Sequence, residues 1–138
     1  MAETVILDSE AVHALAQPKH RGILARRADV VLRVALERRA LIRVPAPVLA
    51  EVCRGPRFDA AVEHLLNNRG IGVTDLTRQI AQRAGALLAE ARMSSDHAVD
   101  AFVAATALDH DASVIVTGDQ RDMRRLLARH PQIQVFGI

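Results

Sequence analysis

The sequence has no tryptophan, no tyrosine and three phenylalanines. A platform of aromatic rings, on which sequence-tolerant single-strand binders stack bases, is therefore poorly supported. One cysteine, Cys53, excludes an intramolecular disulfide and any zinc site built from several cysteines. It fits a reducing cytoplasm, and its place after an apolar helical stretch reads as a buried, inert thiol. No run of about 18 apolar residues occurs, so no membrane span is expected. The N-terminus has Glu3 where an export signal carries positive charge and reaches Asp8 soon after; this reads as the start of a strand.

Several chemistries are absent as well. There is no G-x-S-x-G elbow for acyl transfer and no G-x-x-x-x-G-K-[ST] phosphate loop. Gly70-Ile71-Gly72 is a lone glycine pair ahead of a strand, too little for dinucleotide binding. Aspartyl-phosphate chemistry wants a second Asp two residues after the first, and Glu10 stands there. A receiver domain needs a late lysine, and the only lysine is Lys19. The six histidines, His13, His20, His64, His97, His110 and His130, show no ligand spacing and read as ordinary surface residues.

What remains is a chain of 138 residues, half apolar and a quarter charged, the composition of an ordinary globular protein. The length fits one domain over 1–138 with a sizeable core. The net charge is only +2, a weak argument for nucleic acid. Arginine nevertheless supplies nearly all the positive charge, and its planar fork suits phosphate.

The pattern along the chain alternates strands and helices. Strands are predicted at Thr4–Leu7, Leu41–Val44, Ile71–Val73, Ser113–Val116 and Ile133–Phe136. Helices are predicted at Ser9–Ala16, Arg21–Ala40, Ala46–Val52, Arg57–Asn67, Leu76–Met93, His97–His110 and Gln120–Arg129. Ile23, Leu24, Val30, Val31 and Val34 mark the second helix as amphipathic. This alternation, without hairpin signals, implies an α/β fold with a parallel sheet covered by helices on both faces.

The most informative stretch is Val99–Leu108. It is apolar nearly all round, as a buried helix is, yet it carries Asp100, an expensive charge to bury without a partner. Either Asp96 and Ser95 cap the helix while Asp100 looks out through a gap, or a cation sits at Asp100 and other carboxylates help to hold it. Asp96, four residues earlier, is placed on the same face, where like charges repel. In open parallel sheets the functional crevice lies beyond the carboxyl ends of the strands. Asp8 ends the first strand, and Asp119 follows the fourth with Asp122 three residues on. Each of these three also suits a helix cap. Glu51 lies at the edge of the buried stripe of its short helix. Asp8, Glu51, Asp100 and Asp119 in one crevice would repel strongly at neutral pH, and would take up protons or hold a divalent cation. Oxygen ligands select Mg²⁺ or Mn²⁺. Such an ion suits hydrolysis of a phosphodiester by an activated water. Arg54, Arg121 and Arg124 are candidates for phosphate contact, with plain solvated surface as the alternative.

Four segments carry a family resemblance: Val5-Ile6-Leu7-Asp8-Ser9, Pro47-Val48-Leu49-Ala50-Glu51-Val52, Val99-Asp100-Ala101-Phe102-Val103-Ala104-Ala105-Thr106-Ala107 and Val114-Ile115-Val116-Thr117-Gly118-Asp119. In order, spacing and acidic content the chain resembles PIN-domain ribonucleases, specifically VapC toxins of toxin–antitoxin pairs. The resemblance implies a single PIN domain over 1–138, a three-layer α/β/α sandwich around a parallel sheet of about five strands in the order 3-2-1-4-5. It makes Asp8, Glu51, Asp100 and Asp119 the catalytic, metal-binding acids, with Asp122 auxiliary and Ser9 and Thr117 as hydroxyls that orient carboxylates or water. It implies Mg²⁺ or Mn²⁺, an RNA substrate, a homodimer and a cognate antitoxin. Other readings are an inactive PIN-like module that binds RNA or protein, and an RNA-processing nuclease without an antitoxin.

Overall fold

A computed structural model of the chain describes residues 3–138, the Asn68 side chain excepted. Met1 and Ala2, which the expected domain includes, lie outside the described residues. Five strands among these residues form one sheet: β1 (Thr4–Leu7), β2 (Leu41–Pro45), β3 (Gly72–Thr74), β4 (Ser113–Thr117) and β5 (Gln134–Gly137). Their order is β3-β2-β1-β4-β5, every neighbouring pair parallel. The implied order is therefore observed. All four β1 residues are buried, as the central strand of a sheet covered on both faces requires.

Among the described residues eight α-helices surround the sheet: α1 (Ser9–Ala16), α2 (Pro18–Arg21), α3 (Ile23–Glu37), α4 (Ala46–Val52), α5 (Pro56–Asn68), α6 (Arg78–Ala91), α7 (Ala98–Leu108) and α8 (Gln120–Leu126). α1 packs with α3 and α5, while α7 packs across β1, β2 and β4 and against α6 and α8. The result is a three-layer α/β/α sandwich. α4 touches both α1 and α7, which holds it at the end of the sheet between the layers. The core runs through Ile6, Leu7, Val12, Leu32, Ile42, Val44, Val103 and Ile115. Among the described residues no helix is long and apolar enough to cross a membrane.

The helix ends depart from expectation for local reasons. Gly22 at φ 50° separates α2 from α3, so the long helix starts at Ile23 rather than Arg21. It ends at Glu37 because Arg39 turns left-handed at φ 57° and the Ala40 N–H donates to Ala35 O at 2.9 Å. The same device ends α6, where Arg92 is left-handed and the Met93 N–H donates to Leu88 O. α3 buries Ala25, Ala28, Leu32 and Ala35, half-buries Val31 and leaves Ile23, Val30 and Val34 exposed, so three alanines and Leu32 form its inner face.

The expected helix over His97–His110 is split. A 3-10 turn, Ser95–His97, precedes α7. Ser94, not Ser95 or Asp96, caps that turn, its Oγ accepting the Asp96 N–H at 3.3 Å. Asp96 is exposed and shares no continuous α-helix with Asp100. Within α7, residues Ala101 and Val103–Ala107 are all buried. Five of those six side chains are no larger than threonine, which lets the helix approach the sheet closely.

Candidate metal centre

The four strand and helix ends that carry the expected acids meet at the carboxyl edge of the sheet. Asp8 follows β1 and caps α1, its Oδ1 accepting the Ala11 N–H at 2.9 Å. Its Oδ2 accepts the Gly118 N–H at 3.2 Å, from the turn after β4. Asp8 is the one buried acid among the described residues, 4 % exposed. Burial pushes its pKa up; hydrogen bonds from the Thr117 hydroxyl and the Ala11 and Gly118 amides offset part of that, and Glu10 adds to it. Each carboxylate oxygen has a second lone pair, so capping leaves Asp8 able to face a cation.

Asp100, in the first turn of α7, is half-buried. Its pKa is raised to about 6, first by burial and then by the charges of Asp8, Asp119, Glu51 and Asp122. Five carboxylates from four parts of the chain therefore share one electrostatic neighbourhood. Asp119 caps α8, its Oδ1 accepting the Asp122 N–H at 3.2 Å, while its own N–H donates to Thr117 Oγ1 at 2.8 Å. Thr117 thus touches both Asp8 and Asp119. Glu51, exposed on α4, accepts a hydrogen bond from the Ser9 hydroxyl.

The tightest grouping is not the expected quartet. His97 Nδ1 lies 3.5 Å from Asp122 Oδ2. Ligand atoms of His97, Asp100 and Asp122 all fall within 4.8 Å of one another, whereas Asp8, Glu51 and Asp119 act on Asp100 by charge without joining that group. His97 is therefore not the plain surface histidine its sequence context suggests. The available signal was its place three residues before Asp100, at the N-cap of α7. The donor set fits a divalent cation: two carboxylates, with further acids close enough to act on Asp100, plus one imidazole. His110 departs from expectation too, its Nε2 buried with no hydrogen-bond partner.

Arg54 and Arg121 are exposed, and the Arg124 guanidinium donates to Val135 O at 3.3 Å. Cys53 is half-buried rather than buried. Burial, then the charges of Asp59 and Glu63, pushes its thiol up, which suits an unreactive role.

A parallel five-stranded sandwich with carboxylates gathered beyond its central strands defines a class of α/β proteins with an acidic crevice. The sequence matches the PIN domain family model over residues 5–127, and the chain belongs to that family. The fold is also similar to the solved structure of the PIN domain endonuclease Utp24, with a TM-score of 0.58 and 14 % identity over 98 % of this chain and 84 % of that one. No curated protein sequence matches the chain.

Proposed function

We propose that the chain is a Mg²⁺- or Mn²⁺-dependent endoribonuclease and the VapC-type toxin of a type II toxin–antitoxin pair. The observation that carries the nuclease reading is Asp100, grouped with His97 and Asp122 and acted on by the charges of four carboxylates around it. Such a gathering is unfavourable alone and favourable around a hard dication.

Asp100, Asp122 and His97 would hold the ion, with Asp8, Asp119 and Glu51 at its edge. The ion, when bound, lowers the pKa of a water and neutralises charge on the scissile phosphate. The chain's own groups do the positioning. The Ala11 and Gly118 amides fix both oxygens of Asp8. Thr117 ties Asp8 to Asp119. Ser9 aims Glu51. No side chain need act as nucleophile, because the attacking group is water.

Purified protein should cut RNA with Mg²⁺ or Mn²⁺ and stop on chelation. Asp8→Asn and Asp100→Asn should abolish cutting, and equal cleavage by wild type and Asp100→Asn would sink these roles. Binding of RNA without cleavage under any divalent ion would favour the inactive module. The toxin role, the cytoplasmic setting, the homodimer and the antitoxin belong to the same proposal. Induced expression should arrest growth, co-expression of a short neighbouring gene should relieve the arrest, and light scattering should give twice the chain mass.

A further inference from the structure

An acidic centre repels the polyanion it is proposed to cut, so affinity for substrate must come from elsewhere on the surface. Resting on the nuclease reading, we propose that the cavity between α1–α2 and the start of α5 holds a nucleotide of single-stranded RNA, its base on Phe58 and its phosphates on Arg21 and Arg57.

The cavity has a volume of about 440 Å³ and is lined by His13, Gln17, His20, Arg21, Arg57 and Phe58. No carboxylate lines it. Phe58 is 39 % exposed, in a chain with only two other phenylalanines and no tryptophan or tyrosine. A ring left open to water beside two guanidinium groups is the combination that single-strand sites use: a face for stacking and forks for phosphate. The two nearest acids on α5, Asp59 and Glu63, act on Cys53 at the end of α4.

A second basic cavity, of about 600 Å³, makes the comparison useful. It has Arg26, Arg33 and Arg69, but Asp29 pairs with Arg33 at 3.1 Å and with Arg69 at 3.2 Å, and no aromatic ring lines it. Both cavities thus hold a paired arginine, and the difference is the ring: this one offers nothing for a base.

A chain of contacts runs from Arg21, in the cavity wall, to Asp8. Arg21 Nη1 bonds Glu10 Oε1 at 2.8 Å. Glu10 packs so close to Gly118 that a Cβ there would lie 2.2 Å from Glu10 Cγ. Gly118 in turn bonds Asp8. Arg21 and Glu10 are each about one-third exposed, and such a pair is weak, so exchanging Glu10 for a phosphate costs little. A strand seated on Phe58 is thereby led along Arg21 to the carboxylates.

The test is fluorescence anisotropy of a labelled single-stranded oligoribonucleotide over a salt series, in the Asp100→Asn background so that the strand survives. Phe58→Ala should weaken binding about ten-fold with an unchanged salt slope, and Phe58→Tyr should restore it while Phe58→Leu does not. Arg57→Ala should flatten the slope of log K against log salt by about 0.7, and Arg57→Lys should keep it. With Asp100 intact, both alanine variants should bind Mn²⁺ as wild type does, which separates this cavity from the metal centre. Binding by Phe58→Ala and Arg57→Ala at parental strength and slope overturns the proposal, as does full binding by Phe58→Leu, or capture of an acidic peptide in place of RNA. If the predicted binding effects hold but wild type leaves RNA uncut with Mg²⁺ and Mn²⁺, the nuclease reading fails and the RNA site stands.

Discussion

The Gly118 amide donates to Asp8 Oδ2 at 3.2 Å, joining the ends of β1 and β4 across 110 residues of sequence. The contact needs a bare backbone at 118, because a Cβ there would sit 2.2 Å from Glu10 Cγ and 2.5 Å from Glu10 Cβ. Glu10 Cβ is fixed to α1 and cannot swing aside as the tip of the side chain can. Gly118→Ala should therefore force α1 and the β4 turn apart. Urea unfolding is expected to show a loss of about 1–3 kcal/mol, with RNA cleavage reduced as Asp8 loses its support. A variant that unfolds and cuts like wild type would show that this approach is not needed.

Asp100 gives a pH dependence whose sign is fixed. Its pKa is about 6 in the folded chain against 3.8 for the unperturbed group. The folded state binds the proton more tightly, so Asp100 favours folding most at low pH. That contribution falls as pH rises from about 4 to 6, and above 6 the ionised group is a standing cost. Bound Mn²⁺ should remove the cost, because it takes the ionised form. Thermal melts in EDTA should show Asp100→Asn more stable than wild type near pH 7 and closer to it near pH 4. The rise in Tm on adding Mn²⁺ should be small near pH 4, grow through about pH 6, and be largely lost in Asp100→Asn. A metal effect independent of pH over that range would contradict the assignment. Asp8 shifts in the same direction and is expected to leave a residual slope in the variant.

Much of this arrangement is legible in the sequence because its signals are local. Thr4–Leu7 is a short apolar run closed by an acid, and it became a buried strand followed by a cap. Asp100 is conspicuous because its helix is apolar on every side. The helix ends were harder: left-handed Arg39 and Arg92 look like any other arginine in a sequence, and only the chain's path beyond them demands that conformation. Valines suggested the buried face of α3, but close approach to the layer beneath selected Ala25 and Ala28. His97 was missed for a tertiary reason. Its neighbour Asp122 belongs to α8, 25 residues on, and no local spacing pairs the two side chains.

His97 should affect the choice of metal. Oxygen ligands alone discriminate little between Mg²⁺ and Mn²⁺, whereas an imidazole nitrogen favours the transition metal. His97→Ala is expected to weaken Mn²⁺ binding on the order of ten-fold and to change Mg²⁺ binding much less. Calorimetric titration of each ion into the purified variants measures both. Equal, unchanged affinities would reduce the His97–Asp122 contact to a simple ion pair.

Ser9 separates positioning from stability. Its hydroxyl donates to Glu51 from the first turn of α1, and Glu51 is exposed on α4. Losing a hydrogen bond at an exposed site costs folding little, so Ser9→Ala should stay within about 0.5 kcal/mol of wild type in urea. The freed carboxylate, however, would sample rotamers that point away from the ion and its water. Removing a partner that orients a ligand of this kind lowers activity by about 10- to 100-fold. The loss should fall on kcat for RNA cleavage with KM nearly unchanged, because Glu51 does not hold the strand. Ser9→Thr, which keeps the hydroxyl, should recover most of the rate. Full activity in Ser9→Ala would place Glu51 outside the reacting geometry, and the metal centre would then rest on Asp8, Asp100, Asp119, Asp122 and His97.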